Sequence, residues 1–194
     1  MGAVPGKTYV VIWTTTTWTL PANVAICLGP NFDYALLKAN REGETEYYVV
    51  AKELAANVMQ EAGIEEYEII GTVKGSELEY VECAHPFLDR KSILILGDHV
   101  ALDSGTGCVH TAPGHGMDDF MVVTQHYPEI PFTVPVDSEG RMTEEAGFSA
   151  GLTTDEASKV IAKHIHESGH LLATKKLRHQ YPHCWRCKEP ILFR

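Results

Sequence analysis

The sequence predicts an α/β protein of the α+β type, with a mixed, mainly antiparallel β-barrel-like core and peripheral helices. Three observations lead there. Short runs rich in Val, Ile, Tyr and Thr recur through the first half of the chain, separated by turn-like sequences. Helical periods are few and do not alternate one for one with the strands, which argues against a doubly wound parallel sheet. With 194 residues, 44% of them hydrophobic, the chain is long enough for one sizeable core, so a single domain over residues 1–194 is expected.

The elements follow in order. Thr8 to Trp13 reads as a strand. Tyr34 to Ala39 and Glu46 to Ala51 flank the turn-like Asn40-Arg41-Glu42-Gly43, which is a hairpin signal. Lys52 to Ala62 is a short amphipathic helix with Leu54, Ala55, Val58 and Met59 on one face and Gly63 as a stop. Strands resume at Tyr67 to Val73, Glu79 to Glu82, Ser92 to Leu96 and Cys108 to His110. A helix runs from Met117 to about Tyr127, and Pro128, Pro131 and Pro135 then mark an irregular passage. Thr154-Asp155-Glu156-Ala157 is expected to cap a longer helix whose Ala157, Val160, Ile161, His164 and Ile165 share a face.

Charge and composition exclude several classes. Lys+Arg 16 against Asp+Glu 26 gives −10, so no overall basic field draws in a nucleic acid. No apolar run approaches the roughly 20 residues needed to cross a bilayer, and the first seven residues lack the pattern of a signal peptide. The five cysteines, Cys27, Cys83, Cys108, Cys184 and Cys187, are odd in number and too sparse for a disulfide scaffold, so a cytoplasmic location is expected. Gly105-Thr106-Gly107 lacks the last glycine of a dinucleotide fingerprint and the lysine of a Walker loop, which makes nucleotide hydrolysis by this chain unexpected.

Two polar stretches stand out. Gly105-Thr106-Gly107-Cys108-Val109-His110-Thr111-Ala112-Pro113-Gly114-His115-Gly116-Met117-Asp118-Asp119-Phe120 packs four glycines, a proline, two histidines and two acids between an apolar run and a helix start. Glycine permits unusual backbone angles and close approach while proline fixes φ, so this loop is built to hold one shape. Asp118 and Asp119 fall in the first helical turn, where the macrodipole favours acids; successive residues differ by about 100° in direction, so the two cannot face the same way. Far upstream, Thr14, Thr15, Thr16, Thr17 and Thr19 offer five hydroxyls within six residues, ahead of Pro21-Ala22-Asn23. A polar strand end would account for the threonines alone.

Together, Trp13-Thr14-Thr15-Thr16-Thr17-Trp18-Thr19-Leu20-Pro21-Ala22-Asn23 and the stretch from Gly105 to Asp119 resemble the editing domain of isoleucyl-tRNA synthetase, the connective-peptide insertion. The valyl and leucyl editing domains share the threonine-rich segment but follow it with an arginine-proline pair and an acid; Trp18-Thr19-Leu20-Pro21 points to the isoleucyl branch. The resemblance covers essentially the whole chain. Thr17 departs from the pattern, standing where the family usually has proline, which is expected to loosen the turn.

The resemblance implies the synthetase editing-domain fold and a post-transfer deacylase acting on the valyl ester of tRNA(Ile). It gives Asp119 the α-ammonium of the substrate and leaves Asp118 as a helix-start acid. Thr14, Thr15, Thr16 and Thr19 would line the pocket and position water or ester, Asn23 matches a position also implicated in editing, and His110 would wall the pocket against isoleucine. The ATP-binding signatures of the activating domain are absent from the sequence, so the chain is read as an excised insertion. Its implied partners are the 3′ end of tRNA(Ile), the mischarged valine and the rest of the synthetase in cis, with no membrane; the isolated domain is expected to be a monomer, and editing to need no cofactor.

Residues from about 178 to 194 would be the return segment toward a catalytic core. There His183-Cys184-Trp185-Arg186-Cys187 contains C-x-x-C, two of the four ligands of a structural zinc site. The resemblance reads Cys184 and Cys187 as half of a zinc knuckle; two free cysteines are the plainer reading. Other readings stay open: the editing domain of the valyl or leucyl enzyme, a metal-dependent hydrolase using His110, His115 and Asp119, and a non-catalytic RNA-binding module, which the net charge of −10 disfavours.

Overall fold

A computed structural model describes residue 4, residues 6–176 and residues 181–194. Part of the N-terminal stretch (residues 1–3 and 5) and the beginning of the return segment (residues 178–180, after residue 177) lie outside the described residues. The chain forms two compact units. One comprises Met1–Thr14, Val24–Thr111 and Leu171–Thr174, the other Thr15–Asn23, Ala112–His170 and Lys175–Arg194.

The first unit holds two mixed sheets. Its strands are β1 (Thr8–Val10), β2 (Ala25–Leu28), β3 (Asp33–Arg41), β4 (Glu44–Ala51), β5 (Tyr67–Lys74), β6 (Glu82–Ala84), β7 (Lys91–Leu96) and β8 (Cys108–Thr111). One sheet has the order β1-β4-β3-β5 and the other β6-β7-β2-β8. Among the strands of the described residues, β1–β4 and β2–β7 pair parallel and the other pairs are antiparallel, the mainly antiparallel arrangement the sequence leads one to expect.

The hairpin between β3 and β4 closes on Glu42 and Gly43 at φ 53° and 89°, the left-handed pair whose twist matches that of the flanking strands. Central in its sheet, β3 buries Tyr34, Ala35, Leu36 and Leu37 without alternation, because both of its faces are covered. Helix α1 (Ala55–Glu61) follows a 3₁₀ turn, Lys52–Leu54, and turns Ala55, Val58 and Met59 inward. Ile26, Leu28, Leu94 and Cys108 of one sheet share a single core with Tyr34, Leu36, Leu37, Val50 and Met59 of the other sheet and α1.

The second unit contains α2 (Met117–His126), α3 (Thr154–Glu167) and the 3₁₀ segments Thr17–Ala22 and Glu144–Ser149. The helix α3 is capped one residue earlier than expected. Thr153 accepts from the Glu156 N–H at 3.4 Å while the Glu156 carboxylate accepts from the Thr153 N–H at 2.9 Å, and this reciprocal box requires a spacing of three, which Thr154 does not have. Its buried face is Thr154, Ala157, Ile161 and Ile165, whereas Val160, expected inside, is exposed.

Two strand expectations shift. The segment from Thr8 to Trp13 pairs regularly only as far as Val10, and Trp13 makes an isolated parallel bridge to Val109. The strand expected over Glu79 to Glu82 begins only at Glu82, because Tyr80 lies at φ 63°, which breaks an extended run.

One buried hydroxyl joins separate parts of the first unit. Tyr34 donates to the Gly107 carbonyl at 2.6 Å and accepts from the Gly29 N–H at 2.9 Å. Burial pushes its phenol well above the usual range, so it stays a donor. Replacing Tyr34 by phenylalanine strands a buried carbonyl and a buried N–H, and should cost about 1–3 kcal/mol of unfolding free energy, read as a lower urea midpoint at unchanged m-value.

Candidate functional site

The candidate residues fall in both units, and in each unit the two motifs meet. In the first, the bridge from Trp13 to Val109 joins the threonine segment to β8, so that Thr14 and His110, the next residue of each, stand at the same end of the bridge. There β8 runs antiparallel to β2, with His110 opposite Ile26. His110 is buried and Thr14 half-buried.

In the second unit the threonines lead into the 3₁₀ segment Thr17–Ala22, which buries Trp18, Thr19, Leu20, Pro21 and Ala22. Thr15 and Thr16 place their hydroxyl oxygens 3.3 Å apart; Thr15 is exposed and Thr16 half-buried. The Thr19 hydroxyl donates to the Thr16 carbonyl at 2.8 Å, so its proton is used in the turn. Asn23 ends the segment, 4% exposed, with its N–H on the Leu20 carbonyl. Thr17, expected to loosen the turn, instead donates to the Ser158 carbonyl of α3 at 3.1 Å, a tether that proline could not make.

The glycine-rich loop of this unit is closed by an acid. Ala112 donates its N–H to the Asp119 carboxylate at 2.9 Å, and its carbonyl accepts from the N–H groups of His115 and Gly116 at 2.9 and 3.2 Å. Gly116 has an ordinary extended φ of −123°; a Cβ there would lie 2.7 Å from Asp119 Oδ2 and would push the carboxylate from its place. Gly116 is also the N-cap of α2, and neither Asp118 nor Asp119 caps that helix through its side chain. Asp118 is exposed at the helix start, while Asp119 is half-buried and turned back into the loop.

His115 sits beside Asp119 in sequence and is the residue whose part was least legible. Its ring meets Trp18 edge-on, centroids 4.9 Å apart, and its Nδ1 lies 2.8 Å from the Phe193 carbonyl. A carbonyl only accepts, so Nδ1 carries a proton. Burial holds the imidazole below its ordinary pKa, against the opposing pull of that carbonyl, which favours the neutral ring with a bare Nε2. Nε2 is buried without a hydrogen-bond partner among the described residues. The sequence signals were an aromatic between the threonines and a histidine between two glycines.

Among the described residues, no group of three or more His, Cys, Asp or Glu side chains could hold a metal ion. The loop set of His110, His115 and Asp119 therefore does not assemble as metal ligands. At the return segment, backbone N–H groups of Cys187 and Arg186 and the Cys187 side chain favour the Cys184 thiolate, holding its pKa below the ordinary thiol value. The turn is fastened by Cys184 N–H to the Glu189 carbonyl at 2.8 Å and Lys188 N–H to the Cys184 carbonyl at 2.9 Å. Elsewhere, a cleft of about 580 Å³ in the first unit is lined by Asn40, Arg41, Ile64, Glu65 and Leu172 among others, and includes none of the candidate residues.

No protein-family model matches the chain. It is 55% identical over 188 residues to the isoleucine–tRNA ligase of Caldicellulosiruptor bescii, covering 97% of this chain and 20% of that protein. It is 53% identical over 188 residues to that of Petrotoga mobilis, covering 97% and 20%, and 50% identical over 190 residues to that of Moorella thermoacetica, covering 98% and 20%. The chain thus spans about a fifth of the length of the curated relatives it matches. Among solved structures, GlLeuRS-CP1 superposes with a TM-score of 0.69 at 14% identity, covering 88% of this chain and 85% of that one. The editing domain of P. knowlesi cytosolic leucyl-tRNA synthetase superposes with a TM-score of 0.64 at 10% identity, covering 84% of each. Those identities establish a shared fold, while the sequence likeness selects the branch. The chain belongs to the isoleucine–tRNA ligase family and shares its fold with editing domains of leucyl-tRNA synthetases.

Proposed function

We propose that the chain proofreads, hydrolysing the ester of mischarged valyl-tRNA(Ile) to free valine and tRNA. An isoleucine pocket gains only about 1–3 kcal/mol from one methylene, too little to reject valine, and a second hydrolytic site makes up the difference. The observation that carries this reading is the setting of Asp119, a half-buried carboxylate held back in a closed glycine loop while its neighbour Asp118 faces solvent.

In this reading Asp119 holds the α-ammonium of valine, a charge-assisted contact that fixes the ester in place. Thr14, Thr15 and Thr16 position the attacking water and the ester, and Thr19 and Asn23 bind around them. Water adds to the carbonyl carbon, the tetrahedral oxyanion is stabilised by neighbouring donors, and the ribose oxygen leaves with a proton. No strong base is needed if orientation and oxyanion stabilisation carry the rate. His110 fills the space that the larger isoleucine side chain would require.

Partners follow from the same reading: the 3′ end of tRNA(Ile), and the rest of a synthetase in cis, since a chain of net charge −10 does not hold RNA alone. The chain would work in the cytoplasm and be a monomer when isolated. Among the described residues, no helix is long and apolar enough to cross a membrane. Cys184 and Cys187 would give two thiolates to a structural zinc completed elsewhere in a longer protein, with no part in hydrolysis.

Three outcomes test the reading. Asp119→Ala should lower deacylation of valyl-tRNA at least about tenfold, since a hydrogen bond to a charged group is worth about 1.5–3 kcal/mol, whereas Asp118→Ala should change it little; equal losses would sink the assignment. EDTA at neutral pH should leave the rate unaltered, and a chelator-sensitive rate recovered by zinc would favour the metal hydrolase instead. His110→Ala should admit correctly charged isoleucyl-tRNA while keeping much of the activity on valyl-tRNA, because overpacking a tight site costs roughly 1–3 kcal/mol and that cost is what the wall imposes. Loss of both activities together would make His110 catalytic; no change in either would put the wall elsewhere.

A further inference from the structure

The hydrogen bonds inside the glycine loop converge on one residue. Ala112 binds Asp119 through its N–H, and His115 and Gly116 through its carbonyl. Those bonds join the loop to itself and to the first turn of α2. Contacts from outside the loop must hold it, and His115 makes two: its ring against Trp18 of the threonine segment, and its Nδ1–H on the Phe193 carbonyl. At Gly114 the neighbouring Thr133 and Val134 come close enough to exclude a side chain, which blocks movement one way without bonding the loop.

The choice of side chain is informative. An imidazole here buries Nε2 with no partner among the described residues, a cost that a hydrocarbon of similar shape would avoid. The Nδ1–H bond to Phe193 is what such a hydrocarbon could not supply. We infer that His115 is a positioning residue for Asp119: docked between Trp18 and the Phe193 carbonyl, it fixes the loop in the orientation that aims the Asp119 carboxylate. This rests on the proposed role of Asp119 as the partner of the substrate ammonium. His115 itself touches no reacting atom, since its free nitrogen is shut away from solvent.

The test uses this chain and two esters of tRNA, one of valine and one of 2-hydroxy-3-methylbutanoic acid, in which a hydroxyl replaces the ammonium. His115→Leu should lower kcat/KM on the valyl ester by about tenfold or more and on the hydroxy ester by less than about twofold, because only the first depends on Asp119. His115→Asn, whose amide N–H can occupy the place of Nδ1, should return to within about threefold of the parent, and His115→Gln, whose amide lies one bond further out, should not. The Asn and Gln pair keeps the test sharp if the leucine variant fails to fold. Amide hydrogen exchange at Ala112 reads the same geometry without turnover: protection should fall about tenfold in His115→Gln and recover in His115→Asn. Equal losses on both esters, or Asn and Gln behaving alike, overturn the inference. If the parent deacylates neither ester, the editing reading fails, and exchange at Ala112 alone decides whether His115 sets the loop.

Discussion

The bond from the Ala112 N–H to the Asp119 carboxylate is the constraint on which the loop's other features depend. It turns an acid in the first turn of α2 away from the usual capping role and back toward the strand end that precedes the loop. For the carboxylate to arrive there, Gly116 must carry no side chain, and the chain between Ala112 and Gly116 must fold tightly enough for two N–H groups to reach one carbonyl. An acid held by a backbone N–H keeps its direction, which a freely rotating aspartate on a helix surface does not.

Much of this was legible, for identifiable reasons. The hairpin of β3 and β4 was readable because Glu42-Gly43 is a local turn signal between two β-rich runs, and local chemistry decides such elements. The separation of Asp118 from Asp119 was readable from helical geometry alone. Other features were set by distant parts of the chain. The two parallel pairings, β1 with β4 and β2 with β7, join strands far apart in sequence, and no nearby residue announces them. Tyr80 in a left-handed backbone conformation is likewise a tertiary outcome that its strand-favouring neighbours conceal.

The same division applies to the candidate residues. Thr19, grouped with the other threonines by composition, spends its proton on the Thr16 carbonyl, and only the turn's geometry reveals it. Thr17 looked like a weakness because it lacks the rigidity of proline, yet its hydroxyl finds a carbonyl 141 residues away in α3. His115 was visible as a histidine but not as a neutral one, since its protonation state follows from burial by Trp18 and from a carbonyl near the other end of the chain.

The boundaries of the two units carry an evolutionary consequence. The chain passes between them at Thr14–Thr15, Asn23–Val24, Thr111–Ala112, His170–Leu171 and Thr174–Lys175, and two of these borders, Thr14–Thr15 and Thr111–Ala112, fall inside the motifs. A cut at the first of these two separates Thr14 from Thr15 and Thr16, and a cut at the other separates His110 from Asp119. Recombination that exchanged modules at either of those two borders would therefore divide a motif.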